Sequence, residues 1–397
     1  MNHIQIPAFV RSILRRMEDA GYLAYLVGGC VRDMQLMRGP GDWDICTNAQ
    51  PEETLALFPA SVPSGLQHGT VTVKLDGGHA EVTTFRTEGG YADHRRPDSV
   101  RFVPDLETDL SRRDFTVNAM ALSLSGRLID PFDGLGDLKR QVIRCVGNPA
   151  ERFSEDALRM LRAFRFCAQL GFRLDAAAAD AITELAPTAA FLASERIRDE
   201  LEKILLSPCP SMAGDVLRCG LLSSFASVSP GIPSLQNLHT LPAERSVRWA
   251  GFTAQLLNNA NIRDALDFLT ALRLDRRTAD SCAQGASFAC SGDTSSPLEQ
   301  KRLIARCGPD TALCFGAARE ALGIPGGLDA ISALLRSGDC LSLRELAVNG
   351  GDLLARGLRG EQIGETLHLL LDHVLIHPEQ NRKDLLLSYL DRKSVKP

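Results

Sequence analysis

The apolar residues of this chain change period from one end to the other. Phe9, Ile13 and Met17 recur at every fourth position, with Leu14 beside them, which predicts an amphipathic helix stopped by Gly21. "YLAYLVGG" is a short apolar run ended by two glycines, the pattern of a buried strand. "CVRDMQLM" has room for two helical turns before "RGPG" breaks it. "DWDICT", "GTVTVKL" and "AEVTTFR" alternate as strands do. From about Glu155 the period becomes helical, through "SEDALRMLRAFRFCAQLGF", "AAAADAITELA" and "SERIRDELEKILLS" and over most of the remaining chain. "SVSPGIPSLQNLHTLPAERS" and "GASFACSGDTSSPLEQ" interrupt it with turn residues and mark domain or helix-pair boundaries. The fold class expected is α+β: a small mixed sheet with helices, followed by an all-helical remainder.

Composition narrows this only a little. The 397 residues exceed one typical core, so two or more domains are expected. No apolar run approaches the ~18 residues of a membrane span, and the N-terminus mixes charge into its apolar positions, unlike a secretory signal. Eleven cysteines without CxxC spacing read as reduced thiols, which places the chain in a cytoplasm. A formal net charge of −5 argues against indiscriminate nucleic-acid binding but leaves room for a local basic surface.

The chemistry begins at "GGCVRDMQLMRGPGDWDICT", residues 28–47. In a strand, residues i and i+2 share a face, so Asp42 and Asp44 should project together, with Trp43 on the other side. Two adjacent carboxylates repel unless compensated, and Mg2+ is commonly held by one or two carboxylates together with substrate phosphates. The Gly28-Gly29 turn allows backbone amides close to a phosphate, and Arg32 adds a planar cation. Each feature alone is better explained by solvated turn acids and strand-ending glycines. All of them in order, within about twenty residues, suggest phosphoryl or nucleotidyl transfer.

"VGGCVRD…GDWDICT" resembles the signature of class II nucleotidyltransferases, the bacterial-type CCA-adding tRNA nucleotidyltransferases and bacterial poly(A) polymerases. The resemblance implies that Asp42 and Asp44 are catalytic and bind Mg2+, and that Gly28, Gly29 and Arg32 meet the nucleotide. Trp43 is bulkier than the residue such a signature leads one to expect between the aspartates. "EVTTFRTEGGYADHRRPDSVRFV" resembles the strand and flexible loop beyond the metal site, with Glu81 as a third acid near the metals or a solvated strand end. "DLSRRDFTVNAMAL" matches the family's RRDFT-x-NA motif, which implies that Arg113 touches the nucleotide and Asp114 reads the ribose 2′-hydroxyl. "DPFDGLGDL" resembles a hinge segment, or is a plain turn-rich connector.

"SEDALRMLRAFRF" reads as one helix capped by Ser154, with Glu155 and Asp156 in its first turn. Asp156, Arg159, Arg162 and Arg165 then form an i, i+3 row of roughly 13 Å at ~1.5 Å per residue, comparable with the length of a nucleotide. The resemblance makes this the EDxxR helix that replaces a nucleic-acid template, with Asp156 and Arg159 reading the base edge and the row as a whole nucleotide-binding. A carboxylate accepts and a guanidinium donates, which suits the amino donor and adjacent acceptor shared by cytosine and adenine. "SERIRDELEKIL" resembles a neck-stabilising helix, in which Glu195, Arg196 and Glu200 read as structural. Similarity runs from about residue 23 to 206 and thins afterwards. The implied domains are a catalytic head (1–145), a neck with the base-recognition helix (146–208), a helical body (209–325) and a helical tail that binds tRNA (326–397), to which the basic "DRKSVKP" end belongs.

The function expected is addition of C, C and A to the tRNA 3′ end from CTP and ATP, with Mg2+ as cofactor and tRNA as partner. No membrane association and no protein partner are implied. Poly(A) synthesis, CC-only or A-only addition, and a non-catalytic RNA-binding role are the alternatives. The last would predict loss of part of the aspartate, RRDFT or EDxxR sets, and all are present.

Overall fold

A computed structural model describes residues 5–89, 99–225, 235–257, 261–290 and 296–394. The loop inside "EVTTFRTEGGYADHRRPDSVRFV", parts of both turn-rich boundaries and the final residues of "DRKSVKP" lie outside the described residues.

The chain divides into two compact units, residues 1–200 with 215–224, and residues 201–214 with 225–397. In the first unit, α1 (Ala8–Asp19) buries Val10, Ile13, Leu14 and Met17, the stripe its periodicity demands. β1 (Ala24–Val27), α2 (Gly29–Gln35), β2 (Asp44–Thr47) and α3 (Pro51–Leu57) come after it, then β3 (Val62–Gly65), β4 (Thr70–Leu75) and β5 (Gly78–Thr84). β6 (Arg86–Gly89) and β7 (Ser99–Phe102) form a separate antiparallel pair. α4 (Leu106–Ser111), β8 (Ala121–Leu122), β9 (Leu128–Ile129), α5 (Gly134–Arg140) and β10 (Val142–Ile143) follow, then α6 (Pro149–Glu155), α7 (Leu158–Leu170), β11 (Arg173–Leu174), α8 (Ala176–Leu185) and α9 (Ser194–Leu205), whose last residues, from Leu201, belong to the second unit. The main sheet has seven strands in the order β3-β4-β5-β2-β1-β8-β9. β2 lies between antiparallel β1 and parallel β5, which sets Asp44 opposite Glu81.

The remainder is helical: α10 (Met212–Arg218), α11 (Arg245–Leu257), α12 (Ile262–Ala271), α13 (Arg276–Cys290), α14 (Pro297–Cys307), α15 (Pro309–Ala321), α16 (Leu328–Arg336), α17 (Gly350–Ala355), α18 (Glu361–Ile376) and α19 (Lys383–Ser394). Gly285 of α13 faces α15 so closely that a Cβ there would stand 2.6 Å from the Phe315 amide nitrogen, which fixes these two helices at short range. Among the described residues, no helix is long and apolar enough to cross a membrane.

Three local expectations are corrected. β2 begins at Asp44, so Asp42 lies in an exposed bend ahead of the strand, and the alternation argument holds for Asp44 alone. Trp43 is 9% exposed, and its carbonyl accepts from the Glu81 amide at 3.0 Å, so this residue is where β2 first meets β5. The EDxxR segment is two helices: Ser154 lies inside α6, and Asp156 is extended (φ −140°, ψ 105°) between α6 and α7. Asp156 therefore stands off the helical row, and its carboxylate accepts from the Leu158 amide at 3.0 Å. "DPFDGLGDL", finally, is largely α5. A Cβ on Gly134 would collide with the Thr116 carbonyl oxygen, so that glycine serves close packing in place of backbone freedom.

Candidate active site

The site starts where β1 stops. Gly28 takes φ +76°, and a Cβ there would lie 3.4 Å from Arg113 Nη1 and 3.7 Å from Asp44 Oδ2, so the turn brings backbone directly onto a cation and a carboxylate. Gly29 in turn lies against the Arg32 guanidinium. Asp44 is pushed up to about 6, first by burial and then by Glu81 and Asp42, against the opposing pull of Arg113. The two other acids thus reach Asp44 electrostatically although Asp42 is off the strand. Asp42, Trp43, Asp44 and Glu81 line a cavity of about 510 Å³ with Phe9 and His79.

Arg113 is anchored from behind. Its Nη2 donates to Asp109 at 3.0 Å, and Asp109, completely buried, also takes Arg112 Nη2 at 2.7 Å and the Arg86 amide at 3.2 Å. Burial works against the charge of Asp109, but Arg113 and Arg112 prevail and hold its carboxyl below the usual range. Asp114 shows the same balance more strongly. Burial is opposed by Arg162, which donates through Nε at 2.8 Å and Nη2 at 2.5 Å, and the carboxyl falls to about 2. Its other oxygen takes the Phe115 amide at 2.8 Å and Asn118 Nδ2 at 3.3 Å. Asn118 accepts Arg32 Nη1 at 2.8 Å, so a continuous bonded path runs Arg32–Asn118–Asp114–Arg162. The turn that holds Asn118 is itself pinned by Thr116, whose hydroxyl donates to buried Asp137 of α5 at 2.6 Å.

Arg32, Arg162 and Arg165 gather around one ring, with guanidinium carbons 5.2, 5.6 and 4.2 Å from the Phe166 centroid. Arg165 is held below its ordinary value by burial and by the neighbouring Arg162 and Arg32, although Glu200 at 3.0 Å pulls the other way. So much positive charge in a partly buried space suits a polyanion. At the far end, Arg159 donates to Glu155, to the Arg152 carbonyl at 3.1 Å and to the Arg112 carbonyl at 3.3 Å. Asp156 takes Arg196 Nη2 at 2.9 Å.

Every residue singled out in the sequence lies in the first unit. Asp44, Gly28 and Arg113 converge; Arg32, Asp114, Arg162 and Arg165 form the middle; Asp156 and Arg159 the far end. Asp109, Asn118, Phe166, Glu155 and Arg196 also build the site and were not singled out for it. Asn118 is the last polar residue of the quoted RRDFTVNA run, and Asp109 carried a usable signal, an acid three and four residues before two arginines ahead of a helix end.

The chain has clear relatives. The family described as "Poly A polymerase head domain" matches residues 24–144, and that described as "Probable RNA and SrmB- binding site of polymerase A" matches residues 171–225. The fold and site thus define a nucleotidyltransferase with an attached RNA-binding segment. The CCA-adding enzyme of Geobacillus kaustophilus is 39% identical over 390 residues, 95% of each chain, and that of Limosilactobacillus reuteri is 50% identical over 235 residues, 58% of each. The crystal structure of Bacillus stearothermophilus CCA-adding enzyme in complex with CTP superposes with a TM-score of 0.81 at 33% identity over 98% of both chains. That of the Thermotoga maritima enzyme complexed with tRNA shares the fold, with a TM-score of 0.70 at 20% identity over 98% of this chain and 96% of that one. The chain belongs to the CCA-adding enzymes, the tRNA nucleotidyltransferases.

Proposed function

We propose that this enzyme adds C, C and A to the 3′ end of tRNA from CTP and ATP, without a nucleic-acid template. The observation that carries the reading is the bonded path Arg32–Asn118–Asp114–Arg162, in a site where Glu81 and Asp42 crowd the partly buried Asp44 carboxylate. In the reaction the RNA 3′-hydroxyl attacks the NTP α-phosphate and pyrophosphate leaves.

A divalent ion fits the acid end. Asp44 is a partly buried carboxylate crowded by Asp42 and Glu81. Among the described residues no three His, Cys, Asp or Glu side chains are grouped so that they could hold a metal ion by themselves, which leaves two carboxylates to share an ion with water and phosphate. That donor set suits Mg2+, which takes one or two carboxylates and completes its shell with water and phosphate. Asp42 and Asp44 would hold it, with Glu81 beside them, and when bound it supplies activation of the hydroxyl and neutralisation of leaving-group charge.

The chain's own residues do the selecting. Arg32, Arg162 and Arg165 offer the triphosphate its counter-charge, and Arg113, steadied by Asp109, stands between it and Asp44. Arg162 keeps Asp114 ionised and hence acceptor-only; with its acceptor positions taken by Arg162, the Phe115 amide and Asn118, it takes a ribose hydroxyl by exchanging one of these contacts, the long one from Asn118 at 3.3 Å being the weakest. Asp156 accepts from the exocyclic amino group of cytosine or adenine, and Arg159 donates to the neighbouring ring acceptor. Uracil and guanine reverse both, and mismatched hydrogen bonds in such a site discriminate by ~10⁴. Incubating the enzyme, Mg2+ and a tRNA lacking its 3′ end with each NTP, singly and together, should give C, C and then A on a gel. Long A-only products would replace this reading with poly(A) synthesis, and arrest after CC, or A added only to a CC end, with a partial enzyme.

A further inference from the structure

We infer that Arg196 is a positioning residue for base selection, acting through Asp156. The inference rests on the reading of Asp156 as a base acceptor. Asp156 belongs to neither α6 nor α7. Its side chain is fixed by the first amide of α7 and by a fork from α9. Arg196 Nη2 reaches Oδ2 at 2.9 Å and Nη1 reaches Oδ1 at 3.4 Å, while the Leu158 amide holds Oδ1 at 3.0 Å. A carboxylate offers about four acceptor positions. These three contacts leave one, on Oδ2, in a plane the fork has set. A single acceptor with a fixed direction tells an amino group from a carbonyl; a carboxylate free to turn about its last bond does so far less well.

The same helix holds the other end of the row. One turn beyond Arg196, Glu200 is ion-paired with Arg165 at 3.0 Å. α9 thus touches the base-reading acid and a phosphate-side arginine at a fixed i, i+4 interval, which sets the distance between them. Arg196 and Asp156 are both largely withdrawn from solvent, with 25% and 17% of their side chains exposed, so the pair is less weakened by water and salt than a surface pair.

The test uses the full chain and a truncated tRNA, with kcat and KM measured separately for CTP and UTP. R196A is expected to lower the CTP-over-UTP ratio of kcat/KM by about tenfold or more, while kcat for CTP falls much less. R196K, which keeps the charge but not the fork, should recover part of the ratio. D156A should relax selection at least as far, and the double variant no further, because both act through one carboxylate. R196Q, with melting curves for every variant, covers the case in which R196A fails to fold. Equal losses for CTP and UTP, or an unchanged ratio in R196A while D156A relaxes it, would show Arg196 to be merely structural. An unchanged ratio in D156A itself would instead remove the base-reading role of Asp156, and this inference with it.

Discussion

Two regions of the site treat carboxylates in opposite ways. Asp44, raised first by burial and then by Glu81 and Asp42 against the pull of Arg113, rises to about 6; Asp114, more deeply buried, is gripped by Arg162 and falls to about 2. An acid that stays charged because the protein has supplied its partner is a fixed acceptor, finished before substrate arrives. An acid crowded by other acids is unfinished and gains a partner only when a cation enters. The division matches the chemistry proposed for each region, reading in one and reaction in the other.

The largest break in that contrast should come from D44A. Transfer is expected to fall by about 10³-fold or more, whereas melting in metal-free buffer should not drop, since a repelled charge has been removed. Near-normal turnover of D44A, measured by nucleotide incorporation, would end the metal assignment.

D114N should act in the other sense. Removing the charge leaves Arg162 without its ion pair, so stability should fall by about 2 kcal/mol, and discrimination against dNTPs should weaken by about tenfold or more. The pH dependence follows from the sign of the shift. The folded carboxyl lies near 2 against an ordinary 3.8, so its contribution is complete above about pH 4 and is lost as pH falls towards 2. The melting gap between wild type and D114N should therefore be flat above pH 5 and close below pH 4; a constant gap down to pH 2 would contradict the pairing.

The smallest effect is expected at Gly28. G28A must adopt φ +76°, ψ −136° with a side chain, at roughly 1–3 kcal/mol, while its Cβ would meet Arg113 and Asp44 at ordinary contact distance. KM for the NTP should rise a few-fold with a modest drop in Tm; a rise in Tm would mean the turn can open, loosening the tie between the two acid environments.

Much of this was legible in the residues because local pattern and site coincide over residues 24–47 and 109–122. The strands around Asp44, the helical stripe of α1 and the arginines at 159, 162 and 165 all follow from period and turn chemistry. What escaped was imposed from far along the chain. Nothing near Asp42 says that β2 starts two residues later, because the start is set where the Glu81 amide meets the Trp43 carbonyl. "SEDALRMLRAF" offers two capping residues, Ser154 and Asp156, and the local sequence does not say which of them opens the helix. The extended backbone at Asp156 is stabilised by its own bond to Leu158 and by Arg196, forty positions away. Arg32 joins Arg162 and Arg165 over Phe166 only through the fold.

The break at Asp156 has an evolutionary consequence. Its carboxylate takes the first amide of α7, at Leu158, and the Arg196 fork, so a substitution there would remove a helix-start contact and leave a cation unpartnered as well as changing the proposed acceptor. Base preference and the local fold share one carboxylate, and a change of preference by this route carries a folding cost with it.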